Sequence, residues 1–235
     1  MSRLERPEAK NANPATKFLE WKSNEKCFEF YDKENKEKVL VDLPLKIAFL
    51  EHYHTVKGFH EPTQTGIYSN EVYSIGYEEM TIKTFKGLEI FEGIYKAGKD
   101  KIKKAGANYH RSIYGVFENG DIVNIALKGS SIGGIKPEKA KDGKHHNGYS
   151  DFVKNNEHDF EKKWIVIDKV AEGKSGSITY SIPVFSMTED FSEDEDLMVI
   201  SAARELQEFV NSRKDAKTVS AEEQQEPELI GKDDY

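Results

Sequence analysis

At 235 residues the chain has room for one sizeable core with elaborations and is too short for two ordinary domains joined by a long linker. Apolar residues make up 37% and charged residues 32%, so part of the chain is expected to be extended, and the single cysteine, Cys27, excludes an internal disulfide framework and a cysteine-based zinc site. The net charge of −8 is unevenly placed: Glu189 to Tyr235 holds 15 acidic and 5 basic residues, which leaves 27 acidic and 29 basic in residues 1–188.

Residues 1–14 are polar and aperiodic and read as a loose arm. The aromatic runs Lys17–Lys22 and Cys27–Lys33 predict a hairpin, and Lys38–Val56 reads as a long strand with a bend, bulge or edge position at Pro44. Lys57–Asn70 is rich in Gly, Pro, Thr, Ser and Asn and reads as a functional loop, followed by strands at Glu71–Ile75 and Thr81–Phe85. Leu88, Phe91, Ile94 and Tyr95 share a helical face, which predicts a helix over Leu88–Ala105. Its lysines, Lys96, Lys99, Lys101, Lys103 and Lys104, read as a solvated face, with an electrostatic footprint for phosphates as the lesser alternative.

Tyr109–Phe117 and Asp121–Lys128 flank Asn119-Gly120, the strongest hairpin signal in the chain. Gly129–Asn156 reads as loop with a short helix near Tyr149–Lys154, and Trp164–Val170 with Ser177–Phe185 predicts a further hairpin. Ser192-Glu-Asp-Glu195 has capping-box form, opening a helix to about Arg213, with disorder from 215 onward. The domain reading is an arm at 1–14, a core at 15–190, a helix at 191–214 and an acidic tail at 215–235.

The order over residues 38–128 is three strands, a helix and two strands. This predicts a mainly β fold with α elements, an oligonucleotide-binding (OB) five-stranded barrel with a helix between strands 3 and 4, plus extra hairpins and a C-terminal helix. No signal-peptide run and no membrane span occurs, so a cytoplasmic protein without membrane contact is expected.

Single-stranded nucleic acid is bound by cations along its phosphates and by flat rings that stack on its bases. The candidates in this interleaved pattern are Trp21, Lys22, Tyr53, Lys57, Phe59, Tyr68, Lys83, Lys86, Tyr109, Arg111 and Lys128. Period-two geometry puts Tyr109 and Arg111 on one strand face and His110 and Tyr114 on the other. The end of the chain, with Glu226, Glu228, Asp233, Asp234 and Tyr235, forms an acidic tail. Such a tail can occupy a basic groove or dock other replication proteins. His52 and His54 share a strand face, but no metal-ligand spacing is present, and no nucleophile–base arrangement, P-loop or dinucleotide fingerprint appears. The expectation is therefore a protein without metal, cofactor or catalytic activity.

Asn13-Pro-Ala-Thr-Lys-Phe-Leu-Glu-Trp, Tyr31-Asp-Lys-Glu, His54-Thr-Val-Lys-Gly-Phe, Gly66-Ile-Tyr-Ser-Asn-Glu-Val and Leu127-Lys-Gly-Ser resemble phage single-stranded DNA-binding proteins, notably those of crAss-like phages. The resemblance implies an OB-fold and sequence-independent binding of single-stranded DNA during replication, recombination or repair in the host cytoplasm. It also implies an acidic tail that contacts polymerase or helicase, and a homo-oligomer is compatible with it. The chain closes on Tyr235 where better-known members close on phenylalanine. A phage structural or host-interaction protein is the alternative expectation, and a nucleic-acid-processing enzyme the third.

Overall fold

The computed structural model describes residues 12–223. The two aromatic runs form the expected hairpin: β1 (Lys17–Lys22) and β2 (Cys27–Asp32) pair antiparallel with Trp21 opposite Phe28. A polar turn follows, in which the Asp32 carboxylate accepts from the Glu34 backbone N–H at 2.9 Å and from the Asn35 amide at 2.8 Å. It leads into β3 (Glu37–Val41), and β4 (Leu45–His60) starts directly after Pro44, so the expected long strand divides at the proline.

β4 continues through Lys57–His60, where the sequence reads as loop, and a 3-10 turn at Glu61–Thr63 connects it to β5 (Thr65–Ser69). Gly58 looks like a turn signal but does different work. A Cβ there would lie 2.3 Å from the Gly106 carbonyl oxygen, so the glycine lets another segment approach the strand at backbone contact. The meander goes on with β6 (Glu79–Thr84) and β7 (Glu89–Ile94). Glu71–Ile75 supplies only a bridge in place of the expected strand: Val72 and His54 exchange backbone hydrogen bonds of 2.8 and 3.0 Å before the chain turns at Ser74.

The helix expected over Leu88–Ala105 exists only in its second half, as α1 (Tyr95–Lys104). The i, i+3 spacing of Leu88, Phe91 and Ile94 coexists with strand alternation, and pairing with β6 decides the conflict. Gly98, which weakens the helix, makes room for the Phe91 ring, whose atoms lie 2.6 Å from where a Cβ would stand.

β8 (Ala107–Val116) returns antiparallel along β4, and β9 (Ile122–Lys128) follows through the Asn119-Gly120 turn, with Gly120 at φ +88°. A helix followed by two strands is therefore present as expected, but five strands, β3 to β7, precede it where three were expected, and β4 stands between β5 and β8. The expected five-stranded barrel is not closed by it. β9 pairs its outer edge in parallel with β1, Lys17–Glu20 against Val123–Ala126, in an open mixed sheet ordered β3-β2-β1-β9-β8-β4-β5-β6-β7.

Two short helices follow, α2 (Ser130–Gly133) and α3 (Tyr149–Asn156), the latter where the sequence places it. β10 (Lys163–Ser175) and β11 (Ile178–Asp190) make a long hairpin that joins the sheet through Ile165–Ile167 on Leu45–Ile47 of β4, bringing the total to eleven strands in a mainly β protein. The capping box forms as expected: Glu195 Oε2 accepts from the Ser192 backbone N–H at 2.7 Å, and Ser192 Oγ accepts from the Glu195 N–H at 3.4 Å. It opens α4 (Glu193–Glu223), which includes residues 215–223, expected to be disordered. The tail candidates Glu226, Glu228, Asp233, Asp234 and Tyr235 lie outside the described residues.

Three main clusters build the core. Leu19, Phe28, Ile47, Ile113 and Ile125 pack with Phe152 and Phe160 beneath α3. Val199, Ala202, Leu206 and Phe209 of α4 pack on Tyr53, Tyr114, Val116 and Ile122 of the opposite sheet face. Val56, Ile67, Ile82 and Ile90 pack with Ile102 of α1. No helix among the described residues is long and apolar enough to cross a membrane.

The backbone contact at Gly58 yields a direct expectation. Gly58→Ala should lower the unfolding free energy by about 2 kcal/mol, in the range of overpacking substitutions. Gly76→Ala, where nothing lies within 4 Å, should leave it nearly unchanged. Urea melts of both variants check this through a midpoint shift confined to Gly58.

Candidate nucleic-acid interface

Residues directly opposite one another on neighbouring strands share a sheet face. Lys83 of β6 stands opposite Tyr68 of β5, Tyr68 opposite Lys57 of β4, and Lys57 opposite Asn108 of β8. Two residues further along β8, on the same face, His110 stands opposite Lys128 of β9. Strand pairing therefore carries cations and rings from five strands into one band.

The band lines a groove of about 590 Å³ whose rings include Phe18, Phe59, Tyr68 and Phe85 and whose polar groups are Glu20, Lys57, Asn108, His110 and Lys128. Phe59, Tyr68 and Phe85 are 45%, 41% and 73% exposed. Tyr68 and Phe85 are stacked, centroids 5.0 Å apart and planes 16° from parallel. Gly66 permits this, since a Cβ there would lie 2.5 Å from the Phe85 ring. A second hollow of about 520 Å³, lined by Trp21, Lys22, Ser23 and Tyr180, shares Glu20, His110 and Lys128 with the first. The two form a continuous trough from the β5–β6 end of the sheet to the β11 hairpin.

The same face closes at its other end. Glu71 accepts from Ser112 Oγ at 2.6 Å and from Tyr114 Oη at 3.1 Å, and it forms an ion pair of 3.3 Å with Arg213 of α4. Asn124 donates to Ser112 Oγ at 2.6 Å, and Asn13 to Tyr114 Oη at 3.0 Å. α4 thus covers the Tyr53–Tyr114 end of the face and leaves the Lys57–Lys128 end open.

Charge within the trough is graded. Burial holds the Lys57 ammonium below the ordinary lysine range, with the Glu20 charge acting the other way. Neither Lys57 nor Lys128 makes an ion pair among the described residues. Lys22 pairs with Glu29 at 2.9 Å, Lys83 with Glu89 at 3.7 Å, and Lys86 Nζ donates to the Thr63 carbonyl at 2.7 Å. His110 donates from Nδ1 to the Asn108 carbonyl at 3.0 Å, and burial, helped by Lys57 and Lys128, holds its pKa to about 4.

Of the residues singled out in the sequence, Trp21, Lys22, Lys57, Phe59, Tyr68 and Lys128 line the trough. Lys83 stands in the same row on β6, and Lys86 follows on the β6–β7 turn. Trp21 is anchored there, its indole N–H donating to the Ser181 carbonyl at 2.9 Å. Tyr53 is a core residue, 4% exposed, with its hydroxyl 3.2 Å from that of Tyr73. Tyr109 and Arg111 do share a face, but the opposite one. Arg111 Nη1 donates to His54 Nε2 at 2.9 Å, and His54 Nδ1 in turn donates to Tyr109 Oη at 2.7 Å.

Phe18, Glu20, Asn108 and His110 line the groove without having been singled out as site residues. Alternation in Lys17–Lys22 marks Phe18 as opposite in facing to the core residue Leu19, and that signal finds it. Glu20 and Asn108 carry no signal of their own.

Comparison with family models, curated proteins and solved structures finds no match. Among the described residues no group of three or more His, Cys, Asp or Glu side chains could hold a metal ion. His52 faces the Tyr149 hydroxyl at 3.1 Å.

Three histidines set an acid limit on the fold. Burial holds His52, His54 and His110 to a pKa of about 4, against 6.5 in the unfolded chain. Between those values the unfolded chain binds more protons than the folded one, so stability is fully present above about pH 6.5 and falls as pH drops toward 4. Each histidine contributes a slope of at most about 1.4 kcal/mol per pH unit. Urea midpoints should be clearly lower at pH 5 than at pH 7.5, and a flat profile would show that these rings are protonated in the fold.

Proposed function

We propose that this chain is a single-stranded DNA-binding protein that holds its strand in the trough between Phe85 and Tyr180 and acts by binding alone. The observation that carries the reading is the Tyr68–Phe85 stack beside Phe59, set against two lysines, Lys57 and Lys128, that lack carboxylate partners among the described residues. Exposed rings accept bases of any sequence, and unneutralised ammonium groups take the phosphates between them.

Two further features support it. The meander β4, β5, β6, with β4 flanked by β5 and β8 and a helix before β8 and β9, resembles part of the connectivity of an oligonucleotide-binding fold, from which it departs by the extra strand β7 and by the open sheet. The resemblance of several sequence phrases to phage single-stranded DNA-binding proteins favours a role in phage DNA replication, recombination or repair. In this reading the acidic end of the chain competes with DNA for the trough and, once displaced, recruits polymerase or helicase.

Trp21 lines the trough and Trp164 is fully buried in the core, so an oligothymidylate titration at low salt should quench fluorescence in the full chain and in Trp164→Phe, but not in Trp21→Phe. Tyr68→Ala should weaken binding about tenfold or more, the loss of one stacking platform of roughly 1–3 kcal/mol. Lys57→Ala should flatten the log–log salt dependence by about 0.7, one phosphate contact on a single strand. A chain ending at Glu223 should bind more tightly than the full chain. Absence of binding by both forms at low salt would end this reading.

A further inference from the structure

A carboxylate in the middle of a phosphate-binding trough calls for a separate account. Glu20 lies on β1 beside Ala126 of β9, two residues from Lys128, and it lines both hollows. It is exposed and makes no ion pair among the described residues, although its charge acts on Lys22, Lys57 and His110. A phosphate placed beside it would be repelled, whereas a base edge carrying N–H donors would be attracted.

The neighbouring groups narrow the choice of base. His110 commits Nδ1–H to the Asn108 carbonyl, which leaves Nε2 as an acceptor. Lys57 and Lys128 are donors on the same face, and Phe18, two residues before Glu20 on that face of β1, supplies a stacking surface beside the carboxylate. The hollow therefore offers a flat platform, a two-oxygen acceptor and ammonium donors. Adenine and cytosine each present one amino group next to a ring-nitrogen acceptor, and thymine presents one N–H between two carbonyls. Guanine alone presents two adjacent donors, N1–H and N2–H, with the O6 acceptor beside them.

We propose that Glu20 makes this hollow a guanine-selective subsite, its carboxylate accepting from N1–H and N2–H while a trough lysine donates to O6. The inference rests on the strand-binding reading above and adds to it one position of base preference within an otherwise indifferent groove. Carboxylate acceptors make the stronger class of hydrogen bond, so the preference should be measurable even in a solvated trough.

The test is fluorescence anisotropy of the full chain with oligothymidylate and with the same strand carrying one central guanine, adenine, cytosine or inosine. The guanine strand should bind about tenfold more tightly than the thymine strand, the lower end for one bidentate base contact. Adenine and cytosine should match thymine, and inosine, which lacks the N2 amino group, should fall between. Glu20→Gln should abolish the guanine advantage while binding oligothymidylate at least as tightly as the unchanged chain, because a like charge has left the trough. Equal binding of all strands, or a guanine advantage that survives Glu20→Gln, overturns the subsite and leaves the strand-binding reading intact. Failure of every strand to bind overturns both.

Discussion

The architecture depends on β4 having both of its edges occupied. Along one edge it pairs with β8 from Ala48 to Gly58, and along the other it meets β10 at Leu45–Ile47, Val72 at His54, and β5 at Lys57–His60. Sixteen residues of backbone are thereby shared among four partners, of which β8 and β10 are distant in sequence and β5 and Val72 follow closely. An irregularity in register between Phe49 and Glu51 separates the part of the strand that faces the β10 hairpin from the part that carries the trough. Because side chains alternate with period two, this register decides whether Lys57 faces the trough or the α1 side, and a slip of one residue would exchange them.

The two sheet faces are accordingly specialised. The one under α3 is filled by rings and aliphatic side chains and holds Arg111, His54 and Tyr109 in a hydrogen-bonded chain. The other is covered by α4 only as far as the Glu71 network, in which the carboxylate takes bonds from two strand hydroxyls and from Arg213. Half-buried and accepting from several donors, Glu71 fixes where the helix lies on the sheet, and so where the exposed part of that face begins.

What was legible in the sequence was local. The Asn119-Gly120 turn, the Trp21–Phe28 hairpin and the Ser192–Glu195 cap each involve residues close together in the chain, and each formed as read. What was not legible depended on long-range partners. The parallel pairing of β1 with β9, which takes the edge a closed barrel would use, joins segments about a hundred residues apart and leaves no mark in either. Gly58 and Gly98 look like breakers in isolation and are places where another segment or ring comes close. The candidate site divides along the same line. Interleaving pointed to Lys57, Phe59, Tyr68 and Lys128, and alternation correctly put Tyr109 with Arg111. Alternation gives which residues stand together, not which side lies open, and the packing of α3 and α4 settles that.

The Tyr68–Phe85 stack over Gly66 bears on how a strand would enter. The rings are already parallel and seated on the sheet, so an arriving base lengthens an existing column and need not gather two loose side chains into one. On the proposed function, the loss of conformational freedom on association would fall chiefly on the nucleic acid, whose flexibility varies with its sequence and length, and little on the protein. In kinetic terms the trough would then serve the proposed strand as a preformed receptor, with capture governed by encounter and charge and retention by how many bases the column and its neighbouring rings held at once.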